Sequence, residues 1–252
     1  MTMSDSHLFQ FALRMGDSAL VLAHRLSEWT GHAPILEEEL GNANVALDLL
    51  GQAQLWLQLA ADAEGAGRTP DDLAYLRDAH HYRNYLLVEQ PNGDYGQTLV
   101  RQVYFDAWHW LSLRALQPSS DERIAEIAHK AEKEVRYHLE RSSDWLVRLG
   151  DGTEESHARV SASVQQLWPY TGELFETDDT LSALAAQGVV PLSGDDSDWR
   201  ALLTEVFAEA TLELPEAGWA QSGGIHGRHT EHLGFLLAEM QFLQRAYPGA
   251  TW

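Results

Sequence analysis

The stretch KEVRYHLERSSDW, Lys133 to Trp145, sets a carboxylate, Glu134, four residues before an imidazole, His138. Carboxylate and imidazole on one helix face are what helical proteins use to hold a pair of irons, as Glu-x-x-His at a spacing of three. The residue three before His138 is Val135, which cannot ligate. At about 100° per residue, Ala128, Ala131, Val135, Ser142, Leu146 and Leu149 define one apolar seam. His138 falls roughly 30° from its centre and Glu134 roughly 70° away, on the flank. The spacing therefore predicts a buried or half-buried histidine, with Glu134 available to pair across one turn.

A second candidate lies one helix earlier. Leu99, Val103, Trp110 and Leu113 share a face, and Asp106 falls in its middle. A carboxylate there must be paired, hydrogen-bonded or metal-bound, because an unpaired buried charge is costly. His109 follows at the ligand-pair spacing of three, but a structural carboxylate held by a core Arg, Tyr or His is the preferred expectation, with His138 the first partner to examine. Glu39 sits between Leu36 and Leu40 in a stretch that reads as apolar nearly all round, hence as a central helix. Leu49 and Gln52, spaced by three further along it, are a hydrocarbon and an amide. A working di-iron site needs about four carboxylates and two histidines, so Glu39, Asp106, His109, Glu134 and His138 fall short. His226, His229 and His232 recur every third residue and could meet a zinc ion, but they start in a Gly-rich loop. Interface or capping roles are the preferred expectation for them.

The elements that carry these residues read at helical period. Helices are expected over Ser6–Trp29, Leu36–Ala61, a short piece from Pro70, Tyr95–Leu116, a span from the Asp121–Glu122 start to Leu149, and a run ending near Trp168–Pro169. LSALAAQG is a short helix and VVPLSGDDSD a loop. WRALLTEVFAEATLELP and TEHLGFLLAEMQFLQRAYPG each read as one unbroken helix. GHAP, GAGRTPDD, EQPNGD and QPSSDE are the breaks. No window alternates at period two, so the chain is expected to be all-α, with a core bundle over residues 6–149 and additional helices over 153–252 in one domain.

Composition narrows the function. The 252 residues carry 38 acidic and 17 basic side chains, a net charge of −21. Such a chain repels phosphate backbones, and its surface suits neither nucleic acid nor an anionic substrate such as a coenzyme A ester. There is no cysteine, so disulfides, thiolate metal sites and a cysteine nucleophile are excluded. That fits a cytoplasmic protein. No run of about 18 apolar residues predicts a membrane span, and MTMSDSHLFQFALRMGD does not read as a signal peptide. Nine tryptophans are many for this length. Trp108, Trp110, Trp145, Trp168, Trp199 and Trp219 cannot all face one core, so some are expected at an interface.

GHAPILEEELGNANVALDLLGQAQ, LLVEQPNGDYGQTLVRQVYFDAWHW, KEVRYHLERSSDWLVRLGDGT and HTEHLGFLLAEMQFLQRAYPGATW together resemble the C subunits of the ring-1,2-phenylacetyl-CoA epoxidase family. That family is a multicomponent monooxygenase of aerobic phenylacetate breakdown. The resemblance implies a ferritin-like helical fold. It also implies a division of labour. A catalytic A subunit of similar fold holds the di-iron centre and the substrate. The C subunit is a structural partner without catalytic, cofactor-binding or metal-binding residues of its own. A small B subunit joins the complex, and a separate reductase with FAD and an iron–sulfur cluster supplies electrons. The A-type Glu-x-x-His pairs fall near Leu49 with Gln52 and Val135 with His138, so one histidine is kept and both carboxylates are lost. Two other readings remain: an active di-iron oxidoreductase using Glu39, Asp106, His109, Glu134 and His138, and a free-standing helical binding protein.

Overall fold

The computed structural model describes residues 3–191, 195–216 and 218–250, with side chains from residue 6 onward. All its regular structure among these residues is helical, so the fold class is the expected all-α, ferritin-like helical type. Residues 192–194 of the expected VVPLSGDDSD loop, and Ala217, lie outside the described residues. No described helix is long and apolar enough to cross a membrane.

The helices divide into two compact units. The first holds residues 1–91, 179–184 and 223–252; the second holds 92–178 and 185–222. The division falls at Pro91–Asn92, inside the EQPNGD turn.

In the first unit, α1 (Met3–Ser27) and α2 (Leu36–Glu64) pack on each other as a helical hairpin. Gly65 ends α2 in the left-handed region, φ 66°, and its N–H caps the Ala61 carbonyl. That conformation costs a residue with a Cβ and suits glycine. The buried side of α2 runs through Glu38, Asn42, Val45, Leu49, Gln52 and Trp56. Leu36, Leu40 and Leu47 fall about 180° from it and are 67%, 57% and 65% exposed. The expectation of a helix buried on all sides is therefore corrected: α2 has a core face and an apolar outer stripe.

Short helices α3 (Pro70–Tyr75) and α4 (Leu86–Glu89) follow. Thr69 and Asp72 form a capping box at the start of α3, with Pro70 in its first turn, where a missing N–H costs nothing. Near the C-terminus, α10 (Glu231–Met240) and α11 (Phe242–Ala246) replace the single helix expected there. The break is at Gln241, whose buried amide donates to the Arg77 carbonyl at 3.0 Å and to the Tyr82 hydroxyl at 2.9 Å. A polar side chain anchored in the core sets the bend, where periodicity alone reads through it.

In the second unit, α5 (Tyr95–Leu116) and α6 (Glu122–Gly150) pack on each other, with α7 (Glu154–Leu167) and α9 (Ser197–Glu209) against both. Asp94 caps α5 by accepting from the Gln97 N–H at 2.9 Å, and Asp121 caps α6 from the Arg123 N–H at 3.0 Å. The remaining short helix, α8, spans Asp179–Ala185 and belongs, except for its last residue, to the first unit. Helix α9 stops at Glu209, short of the expected end. Thr211 there has φ 56°, uncommon for a β-branched residue, and its hydroxyl donates to the Gly150 carbonyl at 3.2 Å. Trp199 donates its indole N–H to the Tyr104 carbonyl at 3.0 Å. Tyr104, Trp168, Phe175 and Phe207 gather around this contact. Part of the tryptophan excess is therefore an aromatic core, while Trp219 is exposed.

Candidate functional site

Helix α5 is buried over nearly its whole length, which brings Asp106 and His109 into the interior of the second unit. Helix α6 is amphipathic and turns Val135, His138 and Ser142 inward, as its seam predicts, while Leu149 is only half-buried. Asp106, His109, His138 and Ser142 are all almost wholly inaccessible to solvent.

The expected pairing of Asp106 with His138 is not what forms. Asp106 meets Ser142 at 3.1 Å, one helical turn beyond His138 on the same face, and the Gln102 amide at 3.4 Å. Burial pushes its carboxyl up to about 8, against the smaller opposing effects of Ser142, Arg141, Gln102 and Arg101. Asp106 is thus chiefly a neutral acid at pH 7. The Ser142 hydroxyl donates to the Asp106 carboxyl and lies within 3.3 Å of the Leu139 carbonyl, so its single hydrogen is shared between two acceptors.

Burial likewise pulls His109 down to about 3, helped by the nearby His138, so its imidazole is neutral. Phe105 and Trp108 flank the ring, and its Nδ1 has no hydrogen-bond partner. Asp106, His109 and His138 are therefore all buried in this unit, with His109 near His138 and Asp106 on Ser142, but among the described residues they do not gather as a set of metal ligands. The Asp106 carboxyl is uncharged, and Val135 stands three residues before His138.

The other sequence candidates lie elsewhere. In the first unit, Leu49 and Gln52 are buried on α2, so the second pair of ligand-spaced positions holds a hydrocarbon and an amide. Glu39 is only half-buried, and it accepts from the Gly31 N–H at 3.0 Å, closing the turn before α2. It is a local cap, since the leucines on either side of it point outward. Glu134 is half-buried on the flank of α6. Two irons are stabilised by the negative charge of about four carboxylates. In the second unit, a neutral aspartic acid and a valine do not supply that charge.

His226, His229 and His232 are not a metal cluster among the described residues. His226 is exposed, whereas the His229 ring is buried between the Glu89 carboxylate, 2.8 Å from Nδ1, and the Tyr82 carbonyl, 3.1 Å from Nε2. Glu89, at the start of the EQPNGD break, is the centre of the best-formed polar site in the first unit. It also accepts from the Thr230 N–H at 2.7 Å, the Thr230 hydroxyl at 2.8 Å and the Asn84 amide at 2.9 Å. Arg25 binds its backbone carbonyl at 2.8 Å. The site fixes the start of α10 to α4. A glutamate inside an apolar run, LLVEQ, was the available signal.

The sequence model of the phenylacetic acid catabolic protein family matches residues 1–252. The chain is also 47% identical, over 98% of its length and 100% of the relative's, to the C subunit of 1,2-phenylacetyl-CoA epoxidase from Escherichia coli (strain K12). A match of this extent and identity, on an all-helical chain, means that the chain belongs to the phenylacetic acid catabolic protein family.

Proposed function

We propose that this chain is the structural, non-catalytic subunit of a di-iron monooxygenase that epoxidises the ring of phenylacetyl-CoA, and that it holds the catalytic A subunit in a folded, competent state. The observation that carries the reading is that Asp106, His109 and His138 are buried without forming a charged set of ligands. The chain binds no iron pair. The di-iron centre sits in the A subunit, a B subunit joins the two, and a separate reductase carrying FAD and an iron–sulfur cluster delivers electrons. All of this takes place in the cytoplasm.

The outer stripe of α2 supports the partner role. Leu36, Leu40 and Leu47 form one apolar line on a helix whose core face is already satisfied. A helix of the A subunit laid along that line would bury it, and a stable subunit pair of this kind buries upwards of about 2,000 Å² in total. Binding only to folded partner shifts that partner's folding equilibrium, which is how a subunit without chemistry raises activity.

Reconstitution tests the proposal. Phenylacetyl-CoA turnover by the A and B subunits with reductase should fall sharply when this chain is left out, and this chain with reductase alone should give no product. Equal turnover without it removes the structural role. Product from this chain and reductase alone makes it the enzyme.

A further inference from the structure

Outside the buried clusters, the turn after α3 brings three metal-ligating side chains together at the surface. Asp78 begins a single 3₁₀ turn, Ala79–His81, and His80 and His81 complete it. In a 3₁₀ turn residues three apart eclipse one another, which stacks His81 beside Asp78. The two imidazoles lie with ring centroids 3.8 Å apart. One potential ligand atom from each of the three residues falls within 4.8 Å of the other two, and all three residues are exposed.

We propose that Asp78, His80 and His81 form a divalent-cation site, with two imidazoles and one carboxylate as ligands. That donor set suits zinc and the neighbouring divalent transition metals. Three protein ligands leave at least one coordination position for water or for a donor from outside the chain.

The backbone under the turn is built to hold this shape. The Arg77 guanidinium donates to the His81 carbonyl at 3.0 Å and Arg83 donates to the His80 carbonyl at 2.9 Å. Arg77 is itself fixed by a buried ion pair with Asp17, which also accepts from the Arg83 N–H at 2.8 Å. Both histidine carbonyls are thus tied to a buried anchor, and the rings alone are free to adjust. Fixed supports of this kind lower the cost of gathering ligands around an ion.

Arg245 is the competitor. Its guanidinium donates to Asp78 at 2.9 Å across the mouth of a cleft of about 480 Å³ that Leu237, Gln241 and Phe242 also line. A cation must displace this contact to take the carboxylate. Arg245 therefore gives the proposal a test that a chance pair of surface histidines would fail.

The measurement is titration of the untagged full chain with zinc ion at neutral pH by isothermal calorimetry. His80→Ala, His81→Ala, Asp78→Ala, Arg245→Ala and the control pair His226→Ala/His232→Ala are titrated alongside. All these side chains lie at the surface, and unchanged melting curves confirm that each variant is folded. One equivalent of zinc should bind the wild type. Each of the three ligand variants should weaken it by about tenfold or more. Arg245→Ala should tighten it by about two- to fivefold, the worth of an exposed ion pair. The control pair should leave it unchanged. No saturable equivalent in the wild type overturns the proposal. So does a loss that follows the control pair, or affinity indifferent to both Asp78→Ala and Arg245→Ala.

Discussion

The two units bury carboxylates in opposite ways. In the first, Asp17 faces the Arg77 guanidinium and the Arg83 N–H, and Glu89 faces two donors from Thr230, one from Asn84 and the His229 ring. In the second, Asp106 has one hydroxyl and one long amide contact, and burial keeps its proton on. A carboxylate stays charged inside a protein when several donors converge on it, and otherwise takes a proton. The charged sites in the first unit tie segments together across long stretches of chain, while the neutral Asp106 in the second ties only α5 to α6.

Breaking the charged sites should cost most. Asp17→Ala strands a buried guanidinium and should destabilise the chain by about 3 to 5 kcal/mol. That corresponds to a fall in melting temperature on the order of 10 °C for a chain of this size. A fall of only a degree or two would mean that Arg77 finds water or another acceptor. Glu89→Ala leaves four donors without their acceptor. It should cost nearly as much, and it should expose the segment after Gly223 to limited proteolysis before the rest of the chain.

Asp106 should respond more weakly, and its response depends on the replacement. Asp106→Ala removes a neutral partner from Ser142 and Gln102, worth about 1 to 3 kcal/mol, below the cost of stranding a buried charge. Asp106→Asn is neutral and nearly isosteric, keeps an amide oxygen that can accept from Ser142, and should fall within about 1 kcal/mol of wild type. A large loss for the asparagine variant would show that Asp106 is ionised.

The pH dependence sharpens the same point. Asp106 holds its proton more tightly folded than unfolded, so between about pH 4 and 8 the folded state binds the extra proton. Its contribution is full at the acid end and is lost as pH rises toward 8, by up to about 1.4 kcal/mol per unit. His109 runs the other way. Its folded form resists protonation, so its contribution grows as pH rises from about 3 to the ordinary imidazole range and is then complete. Above about pH 6.5 the falling slope belongs to Asp106 alone of this pair, and subtracting the Asp106→Asn curve from the wild-type curve should isolate it. A flat difference between pH 6.5 and 8 would remove the neutral-acid assignment.

The smallest stability effect is expected on the outer stripe of α2. Leu40→Glu with Leu47→Glu should stay within about 0.5 kcal/mol per site in the isolated chain, because both side chains are already exposed. The same pair of changes should weaken capture of the A subunit by tenfold or more if that helix is the docking line. Undiminished capture would move the interface elsewhere.

Much of this was legible in the sequence because it is periodic. The placement of Asp106 and His138 inside, and of Glu134 on the flank, follows from the helical repeat of α5 and α6. The helix start near Tyr95 follows from the EQPNGD break, and the start at Asp121–Glu122 from acidic residues suited to a helix N-terminus. What escaped the sequence depends on contacts between distant residues. Ser142 rather than His138 meets Asp106, since helix phase gives a face and not a partner. Leu36 and Leu40 read as core because an apolar residue on a helix does not reveal whether its side is covered. Glu89 with His229, 140 residues apart, and the break at Gln241 rest on tertiary hydrogen bonds that no local pattern records.

The most direct test of the structural role is iron per chain. The A subunit is co-expressed with this chain, the two are separated, each is reloaded anaerobically with ferrous ion, and bound iron is counted. The chain used carries His80→Ala and His81→Ala so that the surface turn contributes nothing. Two irons on the A subunit and none retained by this chain is the predicted result. Two irons held by this chain, and lost with Asp106→Ala, would contradict it.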